Sequence, residues 1–395
     1  MKGHQLSGTI NRIMTFEDSL ISFFTESAWS RMDPTDPERA DFVAGNPQEL
    51  AQPAFVESIQ RWAVPQDEHW YAYKFNEPYA QEAAASGLRD RRGIPFEAAD
   101  IFLTDGAFAA LLLCIRTVAD PGDEVLFLSP PWFFYEALTV GGGAEPVKVR
   151  VDMDTWDPDL DAIAAAITPR TRAVLINSPN NPTGRIYPPE VLEGVAAVLT
   201  EASERNGAPI YLISDEAYSR IVYDDRAFRS PTEFYPWSFL VYTYGKQLLT
   251  PGQRVGYVAL PPTMPDREQV RNALMMGQLA FGGNGVPNAV MQRAIGDLDT
   301  MSIDMKALEA RRDRMVDGLR SSGYDLHSPE GTFYLLPRSP IEDDVAFTDR
   351  LARDKVYVLP GAIVEMPGRF RISLTGSDEM VDRALPIFET AFHDA

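Results

Sequence analysis

Through the middle of the chain, short apolar runs alternate with longer stretches in which apolar residues recur every three or four positions. The two patterns predict different elements. Runs rich in β-branched, aliphatic and aromatic residues, bounded by Gly, Pro, Asn or Asp, predict buried strands over 101–104, 124–129, 172–177, 210–214, 239–243 and 255–260. Between them lie helical patterns such as 191–206, which starts after Pro188-Pro189 and stops at Gly207. Strands alternating with helices predict an α/β architecture: a mostly parallel, doubly wound sheet covered on both faces.

Near residue 290 the pattern changes. Amphipathic stretches over 289–298 and 305–321 lead into strand-like runs at 333–336, 356–359 and 370–374, which predicts a smaller α+β domain. Residues 1–60 are broken by Pro34, Pro37, Pro47 and Pro53, with a strand running into a turn over 42–47. The expected organisation is an N-terminal arm plus part of the small domain over 1–60, a large domain over 61–290, and the rest of the small domain over 291–395.

Composition narrows the function classes. A length of 395 residues suffices for two domains and a large core. With 36 basic against 57 acidic residues, the net charge of −21 repels nucleic acid and anionic membranes, so a polyanion partner is not expected. The one cysteine, Cys114, excludes an internal disulfide and reads as a small buried hydrophobe within the apolar run 109–115. His4, His69, His327 and His393 are scattered without metal-ligand spacing, so no metal site is expected. No basic segment followed by an apolar core opens the chain, and no window reaches the length of a membrane span. A cytoplasmic protein is expected.

The chemistry lies where the strands end. Four of them finish in polar, turn-forming clusters: Ser129-Pro130-Pro131-Trp132, the run from Asn177 to Gly184, Ser214-Asp215-Glu216-Ala217-Tyr218, and Thr243-Tyr244-Gly245-Lys246. Ligands of open α/β sheets bind outside the carboxyl ends of the strands, so these clusters should surround one cavity with an aromatic plate, an amide, a carboxylate, a phenol and an amine. Lys246, at the mouth of a buried strand with no carboxylate near it in sequence, can serve as an amine nucleophile. Thr104-Asp105-Gly106-Ala107-Phe108 runs from a strand through glycine into a helix, whose first turn offers free N–H groups to a phosphate; Arg254 and Thr243 are placed to join it. These groups meet the needs of pyridoxal phosphate: a lysine for its aldehyde, a carboxylate for its ring nitrogen, donors for its phenolate, an aromatic for its ring face and an anion hole.

In order along the chain, SPNNPTG, SDEAY and a lysine–arginine pair eight positions apart (246 to 254) resemble the class I/II aminotransferase family of fold type I pyridoxal-phosphate enzymes. The matching segments span Gly45 to Arg371. The resemblance implies roles for individual residues. Lys246 resembles the Schiff-base lysine, Asp215 the partner of the pyridine nitrogen, and Asn181 and Tyr218 the donors to the phenolate oxygen. Trp132 takes the place of the stacking aromatic, while Arg254, Thr243 and the backbone at Gly106, Ala107 and Phe108 take the phosphate. Arg371, with Arg369 as the alternative, matches the arginine that binds the substrate α-carboxylate, with Gly45 and Asn181 beside it. Tyr73 matches a tyrosine that reaches the phosphate of the neighbouring subunit, which implies a homodimer with shared active sites.

Three departures from the family pattern stand out. Phe108 replaces a hydroxyl residue, Gly245 replaces the usual serine before the lysine, and the stretch from Lys74 to Tyr79 lacks the usual glycines. The implied reaction is ping-pong amino transfer between an amino acid and a 2-oxo acid, with Lys246 moving the α-proton. The alternative is a lyase, cyclase/synthase or oxidase of the same fold, since the motifs locate the cofactor and do not choose the bond. A transcription-factor module is disfavoured because 1–60 is short and acidic, and a nucleotide-binding protein because no G-x-G-x-x-G follows a first strand. Side-chain selectivity is expected from the N-terminal arm, from 71–79 and from Phe281-Gly282-Gly283-Asn284.

Overall fold

The computed structural model describes residues 6–16, 18–282 and 285–395. Its strands, in chain order, are β1 (Ala40–Asp41), β2 (Ile101–Thr104), β3 (Glu124–Ser129), β4 (Glu145–Arg150), β5 (Thr171–Asn177), β6 (Tyr211–Asp215), β7 (Ser238–Thr243), β8 (Gly256–Ala259), β9 (Tyr334–Leu335), β10 (Val356–Tyr357), β11 (Leu359–Pro360) and β12 (Phe370–Ser373). Seven of them form one sheet in the order β2-β8-β7-β6-β5-β3-β4. β4, β3, β5, β6 and β7 run parallel, and β8 lies antiparallel to both β7 and β2.

Helices cover both faces because the parallel strands are apolar on both sides. Val125, Phe127, Ala173, Leu175, Ile213, Phe239 and Val241 meet Ala110, Leu111 and Cys114 of the helix Gly106–Val118. The alternate residues Leu126, Leu128, Val174, Ile176 and Leu212 meet Leu192, Val195 and Leu199 of Pro189–Asn206. This is the period of two expected of a doubly covered sheet. Cys114 is fully buried, and burial holds its thiol well above the ordinary value.

Two features of the sheet differ from expectation. β4 went unread because Glu145, Lys148 and Arg150 interrupt its apolar positions, as suits an edge strand that must resist further pairing. The reversed direction of β8 follows from chain length: the segment from Tyr244 to Val255 is too short to carry a strand back to the opposite edge for parallel entry. The run 356–359 is two strands. β10 pairs with β1 and β11 with β12, which also pairs with β9. Among the described residues of the N-terminal segment, Gly8–Phe16, Asp18–Glu26 and Pro53–Ala63 are helices; the first two are only nine residues long, too short for their periodicity to stand out beside so many chain breakers. Arg12 ties the first of them to Glu145 of β4 at 2.5 and 2.7 Å.

The end of β6 carries a buried ion pair. Glu216 has no exposed surface and accepts from Arg92 at 2.9 Å and from Ser214 Oγ at 3.1 Å, with Ser230 donating as well. Burial raises its pKa, and Arg92 and the two hydroxyls pull against that rise. Because removing one partner strands a buried charge, Arg92→Met is expected to lower the unfolding free energy by about 3–5 kcal/mol in urea titrations. A loss under about 1 kcal/mol would show that the pair is dispensable to the strand end.

Candidate active site

A cavity of about 250 Å³ opens at the carboxyl edge of the parallel strands. Gly45, Ala107, Phe108, Trp132, Asn181, Asp215, Tyr218, Thr243, Lys246, Arg254 and Arg371 all line it. Residues spread across more than three hundred positions therefore meet, as the convergence of strand ends requires.

Asp215 ends β6, in register with Asn177 of β5 and Val241 of β7. It is buried, and its carboxylate accepts from Tyr135 Oη at 2.7 Å and from the Ala217 N–H at 3.1 Å. Burial raises its pKa; the two hydrogen bonds and the ammonium of Lys246 oppose that rise. Asn177 links the motifs. Its amide donates to the Asp215 carbonyl at 2.9 Å, and its oxygen accepts from the Asn181 N–H at 2.7 Å.

Lys246 sits in the short helix Tyr244–Gln247, capped by Thr243. It is half-buried, and among the described residues its ammonium makes no ion pair; the nearest aromatic faces are Tyr218 and Phe333, each 5.8 Å from Nζ to ring centroid. The Thr243 hydroxyl accepts from Gly245 N–H and donates to the Val255 carbonyl, so in this state it is committed to the loop. Gly245 has a steric cause: a Cβ there would stand 2.9 Å from the Pro251 Cα, which explains the missing serine.

Arg254 adopts a left-handed conformation (φ 47°) and donates to the carbonyls of Pro251 and Asp105 at 2.9 and 3.0 Å. Gly106 (φ 77°) makes room for it, since a Cβ would lie 2.9 Å from Arg254 Nη2. The guanidinium thus lies against the turn that opens the helix Gly106–Val118, whose first N–H groups have no intrahelical acceptor. Phe108 meets Trp132 edge-on, centroids 5.3 Å apart, and Phe134 and Tyr135 hold the indole from other sides.

Arg371, on β12, is buried at 3% exposure without a carboxylate partner among the described residues. It donates to Asn181 Oδ1 and to the Val43 carbonyl, both at 3.0 Å, and its Nε is buried without an acceptor. Burial lowers its pKa. Its guanidinium lies 4.2 Å from the ring centroid of Tyr334. Burial raises the Tyr334 phenol, but Lys246, Arg371 and the hydrogen bond from Tyr218 at 3.5 Å together outweigh it and hold it below its usual value. Gly45 is packed against this corner, where a Cβ would fall 2.4 Å from Tyr334 Oη.

Some predicted residues lie elsewhere. Arg369 is outside the cavity, over the Trp156 ring at 5.2 Å and bonded to the Leu336 carbonyl. Tyr73 is 91% exposed in a separate groove with Asp105 and Val286. Phe281 and Gly282 close the helix Arg267–Gly282, while Gly283 and Asn284 fall outside the described residues. Tyr135, Asn177 and Tyr334 were missed as site residues: Tyr135 reads as part of an apolar helix and Tyr334 as part of a strand, and no local pattern pairs either with a partner on another element.

A buried cation with no carboxylate partner among the described residues contributes little to stability. Arg371→Met is therefore expected to leave the unfolding free energy of the ligand-free protein unchanged or higher in urea titrations. A loss above about 2 kcal/mol would mark the guanidinium as a structural group.

The comparisons agree with this geometry. The family model described as aminotransferase class I and II matches residues 41–388. The aspartate/prephenate aminotransferase of Thermus thermophilus is 32% identical over 358 residues, 88% of this chain and 89% of that protein. A probable aspartate aminotransferase of Methanocaldococcus jannaschii is 28% identical, over 85% of this chain and 89% of that one. Among solved structures, an aminotransferase from Eubacterium rectale superposes with a TM-score of 0.87 at 28% identity, covering 99% of this chain and 96% of that one. The aspartate aminotransferase of Thermotoga maritima superposes at 0.82 and 27% identity, covering 99% and 100%. Matched in sequence over most of its length and in fold over nearly all of it, the chain belongs to the class I and II aminotransferases of fold type I.

Proposed function

We propose that this aminotransferase holds pyridoxal 5'-phosphate in the cavity and moves an amino group from an amino acid to a 2-oxo acid in two half-reactions. The observation that carries the reading is one cavity containing a hydrogen-bonded buried carboxylate together with a lysine and a buried arginine that, among the described residues, have no carboxylate partner. When bound, the cofactor supplies an aldehyde that condenses with an amine and a cationic ring that withdraws electrons from the adjoining carbon.

The chain's own groups fit that task. Lys246 would hold the cofactor through its amine and, once that amine is free, would serve as the base that takes and returns the substrate's α-proton. Asp215 holds a proton on the ring nitrogen, and Tyr135 and the Ala217 N–H keep the carboxylate oriented. Asn181 and Tyr218 donate to the phenolate oxygen, and Trp132 covers a ring face. Arg254 and the backbone at Gly106, Ala107 and Phe108 hold the phosphate, with the Thr243 hydroxyl turning from Val255 to join them. Arg371 and Asn181 bind the α-carboxylate beside Gly45, where a fork of N–H groups suits two oxygens. Tyr73 reaches the phosphate of a second copy, so the working unit is a homodimer. The lone buried cysteine and the acidic surface suit a reducing, cytoplasmic setting.

A single-turnover experiment tests the reading. The loaded protein, mixed with a panel of amino acids and without an acceptor, is expected to yield a 2-oxo acid and pyridoxamine phosphate by mass spectrometry, and Lys246→Ala is expected to yield neither. Ammonia, a ring product or peroxide with the cofactor unchanged would point to elimination, cyclisation or oxidation and overturn it.

A further inference from the structure

We propose that Tyr334 is a positioning residue for the substrate carboxylate: its ring is the plate against which Arg371 is held, and the ring rather than the hydroxyl sets how tightly a carboxylate binds. The inference deepens the proposed function and rests on Arg371 as the carboxylate-binding group. Every contact involved lies within one chain.

The sheet β11-β12-β9 brings the two side chains together. In the antiparallel pair of β9 and β12, Tyr334 stands opposite Ser373 and Leu335 opposite Ile372. Arg371 is two residues from Ser373, so Tyr334 and Arg371 share a face of the sheet as diagonal neighbours, a separation that an aromatic ring and a long side chain can span. The guanidinium carbon accordingly stands over the Tyr334 ring, 4.2 Å from its centroid. Both residues are buried, and both line the cavity.

Hydrogen bonds alone hold the guanidinium loosely. Among the described residues, Asn181 Oδ1 and the Val43 carbonyl each accept one N–H at 3.0 Å, which uses two of its five donors and leaves three for an anion. The Tyr334 ring is the third support, and in a desolvated site a cation over an aromatic face is held strongly. Phe133, the other ring near the guanidinium, is 5.9 Å away, at the limit of such contacts. The Tyr334 hydroxyl has a different setting. It accepts from Tyr218 Oη at 3.5 Å, a long and weak bond, and it fills the space that a Cβ on Gly45 would need. Any negative charge on that oxygen opposes an incoming anion, so the attraction that fixes Arg371 for a carboxylate belongs to the ring.

Unreactive acids separate binding from catalysis. The pyridoxal-phosphate-loaded protein is titrated calorimetrically with propanoate, 3-phenylpropanoate and succinate, and the acid that binds the parent most tightly is carried to the variants. Tyr334→Leu is expected to weaken that acid at least about tenfold. Tyr334→Phe, which keeps the ring, is expected to weaken it by no more than about threefold. Titration of the apo-protein with pyridoxal phosphate should give the same affinity for Tyr334→Leu as for the parent, since a merely disordered cavity would lose cofactor and acid together. Should the leucine variant fail to fold, Tyr334→Met fills the space without a ring and carries the same expectation. Parent-like acid binding in the ringless variant, a loss in Tyr334→Phe as large as in Tyr334→Leu, or equal losses of acid and cofactor would each overturn the inference and leave amino transfer standing. Arg371→Met binding the acid like the parent, or no acid binding to the parent, would instead overturn the role given to Arg371 in the proposed function, and the inference with it.

Discussion

On the proposed function, the site depends on keeping one carboxylate charged inside the protein. Asp215 is buried at the end of β6, where an isolated carboxylate costs several kcal/mol and tends to take up a proton. The Tyr135 hydroxyl and the Ala217 N–H each place a donor on it, and Lys246 contributes a positive field. These groups lower the cost without removing it, so the carboxylate remains short of a counter-charge. A cationic ring nitrogen is the natural complement.

Sheet topology makes that arrangement possible. Parallel β5, β6 and β7 bring Asn177, Asp215 and Thr243 to one edge, and Asn177 ties the backbone of Asp215 to that of Asn181. The antiparallel entry of β8 then returns Arg254 to the same edge only a few residues after Lys246. Close packing at that return leaves no room for side chains: a Cβ on Gly256 would meet the Tyr242 carbonyl at 2.3 Å, and one on Gly106 would meet Arg254. The eight-residue spacing of lysine and arginine is thus a consequence of a tight antiparallel return at this end of the cavity.

Strand ends were legible because two physical signals coincide there: a fully apolar run stops, and a cluster of turn-forming polar residues begins. The pattern alone puts Asp215, Asn181 and Lys246 on one edge, where all three line the cavity. Tyr135 and Tyr334 escaped because each is apolar in its own element and acquires a partner only through tertiary packing, across 80 positions for Tyr135 and Asp215 and 116 for Tyr334 and Tyr218. The helices near the N-terminus escaped for another reason: Gly8–Phe16 and Asp18–Glu26 are nine residues each, shorter than the window over which helical periodicity is readable. Phe24 belongs to that group, and its place in the cavity depends on contacts with Trp29 that local pattern does not encode.

In a chain of net charge −21, Lys246 and Arg371 have no carboxylate partner among the described residues, and on the proposed function both serve a ligand. The central claim is that Asp215 stays anionic and makes the ring opposite Lys246 a cation. Nitrogen-15 NMR of the protein loaded with ring-labelled pyridoxal phosphate tests it most directly. The account predicts a protonated ring nitrogen throughout the neutral pH range that becomes unprotonated in Asp215→Asn; an unprotonated nitrogen in the parent protein would contradict it.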